Sequence, residues 1–159
     1  MTRLLISLAF DSGLRATELR NLRLKNISGR EIHIIGKGNK AGVVFMTPRT
    51  KKWMDEWISF KGITDYLWIS PAYEDGRPYS IDELRYKMRR EFEKVGIDGF
   101  YLHALRHSFA TDIQKRGASI SQAQRLLRHS NSATTEVYLH ALDSGMINVY
   151  DRLKIGAVA

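Results

Sequence analysis

Residues 102–113 read LHALRHSFATDI, and no other segment restricts the fold as much. At about 100° per residue, Leu102, Leu105, Phe109 and Ile113 fall on one apolar stripe, so this segment is a helix packed on a core. Arg106 projects only about 40° from Leu102 on the same wheel. A guanidinium that close to a core is held by a partner, reaches into a cleft for an anion, or snorkels to solvent. Periodicity leaves all three open. His103 stands one turn before Arg106, with His107 four residues beyond it. A His pair at this spacing can hold a metal, but the metalloprotease pattern needs Glu directly after the first His, where Ala104 stands. No acidic cluster completes a two-metal nuclease site. No metal is expected, and His107 is expected to be a supporting hydrogen-bonding residue.

The rest of the chain reads as further helices and one hairpin. Helices are expected over 3–10 and 17–24, broken at Ser12-Gly13. EIHII (31–35) and VVFM (43–46) flank GKGNKAG, which predicts two antiparallel strands with Lys37 at the tip. Pro48 opens a helix carrying Trp53, Trp57 and Ile58 as core residues. Ser80 and Glu83 form a capping-box pattern for a helix ending near Gly96. A helix over 103–116 stops at Gly117, and Ser121 with Gln124 starts another that ends near Arg128. Residues 132–140 and 143–154 also read as helical. The expected class is α+β, mostly helical, with one small antiparallel hairpin.

Composition narrows the function. The chain has 159 residues, a length suited to one domain, and no Cys. That excludes a disulfide scaffold, a thiolate nucleophile and a Cys-based zinc finger. No apolar run approaches the roughly 18 residues of a membrane span, so a cytoplasmic protein is expected. Net charge is +8, concentrated in two segments. Residues 15–40 hold seven Lys or Arg against Glu18 and Glu31, and residues 106–128 hold five against Asp112. Two basic concentrations suit a polyanion, most often nucleic acid, although charge alone equally describes a solvated face.

Taken singly, GKGNK is an ordinary turn carrying a mobile ammonium, and Arg15 is a cation at a helix start, where anions are favoured. Taken in order, GLRATEL (13–19), GKGNK (36–40), HALRHSFAT (103–111), LLRHS (126–130) and SATTEVY (132–138) resemble the tyrosine recombinase (phage integrase) family. The resemblance runs from about residue 3 to residue 150. It implies cleavage and rejoining of DNA strands without metal or other cofactor, through a 3′-phosphotyrosine. Tyr138 matches the nucleophile, and Arg15 and Arg106 match the two arginines that clamp the non-bridging oxygens. His103 matches the general acid/base. Lys37 matches the lysine that protonates the leaving 5′ oxygen, and His129 matches a residue that hydrogen-bonds the phosphate. Glu18 matches a position supporting the first arginine. Lys40 and Arg128 are further expected DNA contacts. Tyr150 is the one rival nucleophile, and it lacks the preceding motif. Tyr66, Tyr73, Tyr79, Tyr86 and Tyr101 are expected in packing or surface roles.

The chemistry accounts for such a set. A phenol with pKa about 10 is ionised in roughly one molecule per thousand near pH 7, a handicap of about 4 kcal/mol. A base and fixed cations remove it and stabilise charge on the five-coordinate phosphorus. The pattern departs from the family at three places. Arg128 stands where Gly is usual, so either the helix ends differently or the extra cation meets DNA. Gly42 and Phe45 stand where Arg and Pro are frequent in the second strand. The third is extent: a single catalytic domain over 1–159 is expected, without the N-terminal core-binding domain that in the family closes a clamp on DNA. The resemblance implies double-stranded DNA as partner and a tetrameric synapse on it, with the isolated chain a monomer or oligomer. Type IB topoisomerase-like relaxation, or an idle DNA-binding fragment, are the alternatives. The stripe Met146, Val149, Tyr150 and Leu153 docks either on a neighbouring protomer or on its own core.

Overall fold

A computed structural model describes residues 1–36, 41–128 and 139–155, the last segment by its helical backbone alone over 139–145. Seven helices are described: α1 (Thr2–Ser12), α2 (Ala16–Arg20), α3 (Pro48–Lys61), α4 (Ile81–Glu93), α5 (Leu102–Lys115), α6 (Ile120–Leu127) and α7 (Leu139–Arg152). Strands β1 (Ile27–Ser28), β2 (Glu31–Ile35) and β3 (Ala41–Phe45) form one antiparallel sheet in sequence order. Among the described residues no helix is long and apolar enough to cross a membrane.

Local chemistry sets most boundaries. Thr47 caps α3 by accepting the Thr50 amide at 3.2 Å, with Pro48 in the first turn where its missing N–H costs nothing. Ser80 and Glu83 satisfy each other's amides at the start of α4. The capping box of α6 is Ser119 with Gln122, two residues before the expected pair and at the same spacing. α1 ends at Gly13 in the left-handed region (φ 58°), where a Cβ would lie 2.6 Å from the Phe109 ring. Both facts require glycine.

The stripe of α5 ties the molecule together. Leu102 and Leu105 join a core built from Leu4, Leu5 and Leu8 of α1 with Leu19, Leu22, Met54 and Trp68. Phe109 and Ile113 join a second core with Phe45, Leu126, Leu127, Met146, Tyr150 and Leu153. The α7 stripe therefore folds back on its own chain. Tyr150 is 2% exposed, and its hydroxyl donates to the Asp11 carbonyl at 3.1 Å.

Three expectations need correction. The second helix stops at Arg20, not residue 24, because the chain turns through a 3-10 segment (Leu24–Asn26) into β1, a strand too short for periodicity to reveal. Trp53, Trp57 and Ile58 are only half-buried at the edge of the core; Met54 and Thr50 are the buried residues of α3. Arg3 and Arg49 cover Trp53 instead. Finally, α7 runs unbroken from 139 to 152, where a break near 141 was expected.

Candidate active site

Arg15 lies on the turn that joins α1 to α2, as the residue preceding the first turn of α2. The Glu18 carboxylate reaches back and accepts the Arg15 amide at 2.8 Å and its Nη1 at 3.0 Å. The sequence RATE thus folds into a tight cap that fixes the stem of Arg15 while leaving its side chain 35% exposed.

Arg106 takes the first of its three possible fates. It is 5% exposed, and its guanidinium donates to the carbonyls of Gly13 and Leu127. One planar fork therefore joins the turn before Arg15 to the end of α6. Burial pushes its pKa down to about 10, helped by the charges of Arg15 and Arg128 and opposed by Glu18. The group remains a cation under ordinary conditions.

Arg128 ends α6 in the left-handed region, at φ 52° and ψ 50°. The helix ends where a glycine would end it, and the side chain turns inward to Glu18, with Nη2 donating to Oε2 at 2.8 Å. The expected DNA contact is thus occupied by a carboxylate in this structure. Burial alone would raise the Glu18 pKa; the charge and hydrogen bonds of Arg128, with those of Arg15, outweigh it and hold the carboxyl below its usual value. Glu18 is ionised and shared by two arginines.

His103 sits on the exposed side of α5, with its ring 4.6 Å from that of His107 in an edge-on arrangement. Partial burial, His107, Arg106 and Arg15 all lower its pKa, so its neutral form persists to lower pH than in a free imidazole. His107, expected in a hydrogen-bonding role, is exposed beside His103 and lines a shallow groove with Phe10, Tyr101 and Thr111. Among the described residues no group of three or more His, Cys, Asp or Glu side chains could hold a metal ion.

The fold therefore brings Arg15, Glu18, Arg106 and Arg128 into one cluster, with His103 within electrostatic reach of it. Lys37, Lys40, His129 and Tyr138 lie outside the described residues. Tyr150 is buried with its phenol pKa pushed well up by desolvation, an environment opposed to nucleophilic attack. The Arg128–Glu18 pair is the feature sequence reasoning missed. Its partners are 110 residues apart, and only a cation in a glycine position hinted at it.

Residues 1–144 match the model of the phage integrase family. The tyrosine recombinase XerC of Histophilus somni is 32% identical over 155 residues, covering 93% of this chain and 52% of the relative. The XerA recombinase structure superposes with a TM-score of 0.71 at 26% identity, over 95% of this chain and 62% of that one. An integrase from mycobacterium phage Brujita gives 0.77 at 22% identity, over 99% and 53%, a likeness of fold. The chain spans about half the length of the curated relatives it matches.

Proposed function

The chain belongs to the phage integrase family, and from that premise we propose that it is the catalytic part of a tyrosine-type DNA strand transferase acting in site-specific recombination. The observation that carries this reading is the convergence of Arg15 and Arg106, 91 positions apart in sequence, on one cluster beside His103. Arginines held rigidly by the Glu18 cap and by two carbonyls suit a phosphodiester whose charge grows during attack.

In this reading the Tyr138 oxygen attacks the scissile phosphorus as its proton passes to a base, the role assigned to His103. The 3′-phosphotyrosyl bond forms, the bond to the 5′ oxygen breaks, and Lys37 supplies the proton that the leaving oxygen takes up. Arg15 and Arg106 hold the non-bridging oxygens throughout, with His129 as a further donor. The phosphotyrosine keeps the bond energy, so attack by a 5′-hydroxyl reseals the strand without ATP. Double-stranded DNA is the substrate, and assembly of several copies on it follows the family pattern.

Covalent trapping tests the reading. Nicked duplex DNA is incubated with the protein in EDTA, denatured with SDS, and scored for a DNA-linked band. The expected result is a band that Tyr138→Phe abolishes and Tyr150→Phe retains. A band that survives Tyr138→Phe refutes the assignment of the nucleophile.

A further inference from the structure

Arg128 adopts a backbone conformation that suits glycine, at φ 52°. A Cβ is disfavoured there, so an arginine needs compensation from its side chain. That compensation is Glu18, which accepts Nη2 at 2.8 Å and Nη1 at 3.3 Å. The pair is withdrawn from solvent, with side chains 14% and 4% exposed, so water screens it little. Position 42 is fitted to the same side chain: a Cβ on Gly42 would lie 3.1 Å from Arg128 Cδ. Glycine on β3 leaves the space in which the Arg128 stem lies.

Glu18 carries one negative charge and two guanidinium partners. Without Arg128, Arg15 would be the only ion-pair partner of this buried carboxylate among the described residues. The charge of Arg15 would then be spent on Glu18. With Arg128 as counter-ion, the cluster keeps an excess of positive charge, and Arg15 is its more exposed member.

We propose that Arg128 is a positioning residue: by neutralising Glu18 it leaves the Arg15 guanidinium, which keeps its Nη1 bond to Glu18, with an uncompensated positive charge for a phosphodiester oxygen. Its own guanidinium does not touch the phosphate. Its backbone carbonyl also accepts Arg15 Nη2 at 3.5 Å, a contact any residue at 128 retains, so the side chain's part is separable. The assignment rests on Arg15 as a phosphate-binding residue.

The test uses the full chain with inorganic phosphate as probe, followed through the side-chain Nε–H NMR signals of Arg15 and Arg106 at low salt. Arg128→Gln is compared with Glu18→Gln and with the double variant. Arg128→Gln should weaken phosphate binding by about tenfold beside Glu18, and by less than about threefold when Glu18 is already Gln. Arg128→Lys should recover part of the loss. Arg128→Gly relaxes the backbone, so a loss in that variant, with its thermal melt unchanged or raised, is not unfolding. Equal losses in both backgrounds, no loss in either, or wild-type Arg15 signals unmoved by phosphate would each overturn the proposal. Covalent trapping in parallel keeps the two readings apart. Phosphate coupling as described without a wild-type adduct refutes strand transfer and leaves Arg128 as assigned. An adduct without the coupling refutes only the role of Arg128.

Discussion

Arg106 shows how one residue makes the candidate site and the fold depend on each other. Its guanidinium saturates the carbonyls of Gly13 and Leu127, so the turn that carries Arg15 cannot move independently of the helix end that carries Arg128. Arg106→Met leaves two buried acceptors unpaired and should lower stability by about 2–4 kcal/mol in urea denaturation. Arg106→Lys, a point charge without the fork, should fall between the two. His103 gives a second residue-scale expectation. Its pKa lies below 6.5 because burial, then His107, then Arg106 and Arg15 disfavour the imidazolium. The folded state thus resists protonation, and its stability falls as pH drops from the ordinary value through the lowered one. An NMR titration should place the His103 midpoint below 6.5 and show it rising in His107→Ala. A midpoint at or above the ordinary value would refute the electrostatic picture. The sequence placed Arg106 beside the Leu102 stripe but left open whether it is held by a partner, reaches for an anion or snorkels to solvent. The identity of the partners was not legible, because backbone carbonyls carry no sequence signature.

At the scale of elements, the joints are made by Asp11 and Gly13 at the end of α1. Asp11 is buried and accepts the hydroxyls of Thr47 and Thr50 at 2.6 and 2.5 Å, locking α1 to the start of α3. Its other oxygen is buried and has no hydrogen-bond partner among the described residues. Desolvation outweighs the hydroxyl bonds and raises its pKa. A carboxyl with a raised folded pKa contributes stability that is present at low pH and lost as pH rises through that pKa. Stability curves of wild type and Asp11→Asn should therefore diverge in the variant's favour as pH rises from the ordinary carboxyl range through the raised pKa of Asp11. Parallel curves would show that Asp11 titrates as a solvated group. Gly13→Ala must accommodate both a positive φ and a Cβ against Phe109, and should lower stability by about 2–3 kcal/mol in a thermal melt. The elements themselves were readable where local chemistry decides them: the stop at Gly13, the Ser80–Glu83 cap and the stripe of α5. They were misread where distant packing decides. α2 is cut short by the chain's path into the sheet, and α3 buries Met54 while Trp53 and Trp57 pack half-buried against the core.

For the whole molecule, the decisive quantity is charge rather than shape. The cores joined by α5 supply a rigid frame, and the arginines at its turns supply the field. Several of the 25 Lys and Arg are held in ion pairs, Arg30 with Asp151, Arg116 with Asp112, and Arg128 with Glu18, and these pairs already cancel within the net charge of +8. The cations available to a polyanion are therefore fewer than the total of Lys and Arg. If roughly four phosphates are neutralised, the logarithm of affinity should fall against the logarithm of salt with a slope near −4. A fourfold rise in salt then weakens binding by about two orders of magnitude. Fluorescence anisotropy of a short labelled duplex, titrated at several salt concentrations, measures the slope directly. A slope near zero would mean that binding does not run through the basic surface. A slope near −8 would mean that roughly nine phosphates are neutralised, about twice the number expected. The ion pair of Arg128 acts on this slope locally: if it persists on DNA, Arg128→Gln should make the slope shallower by about 1 by drawing Arg15 onto Glu18, and adding Glu18→Gln should restore it.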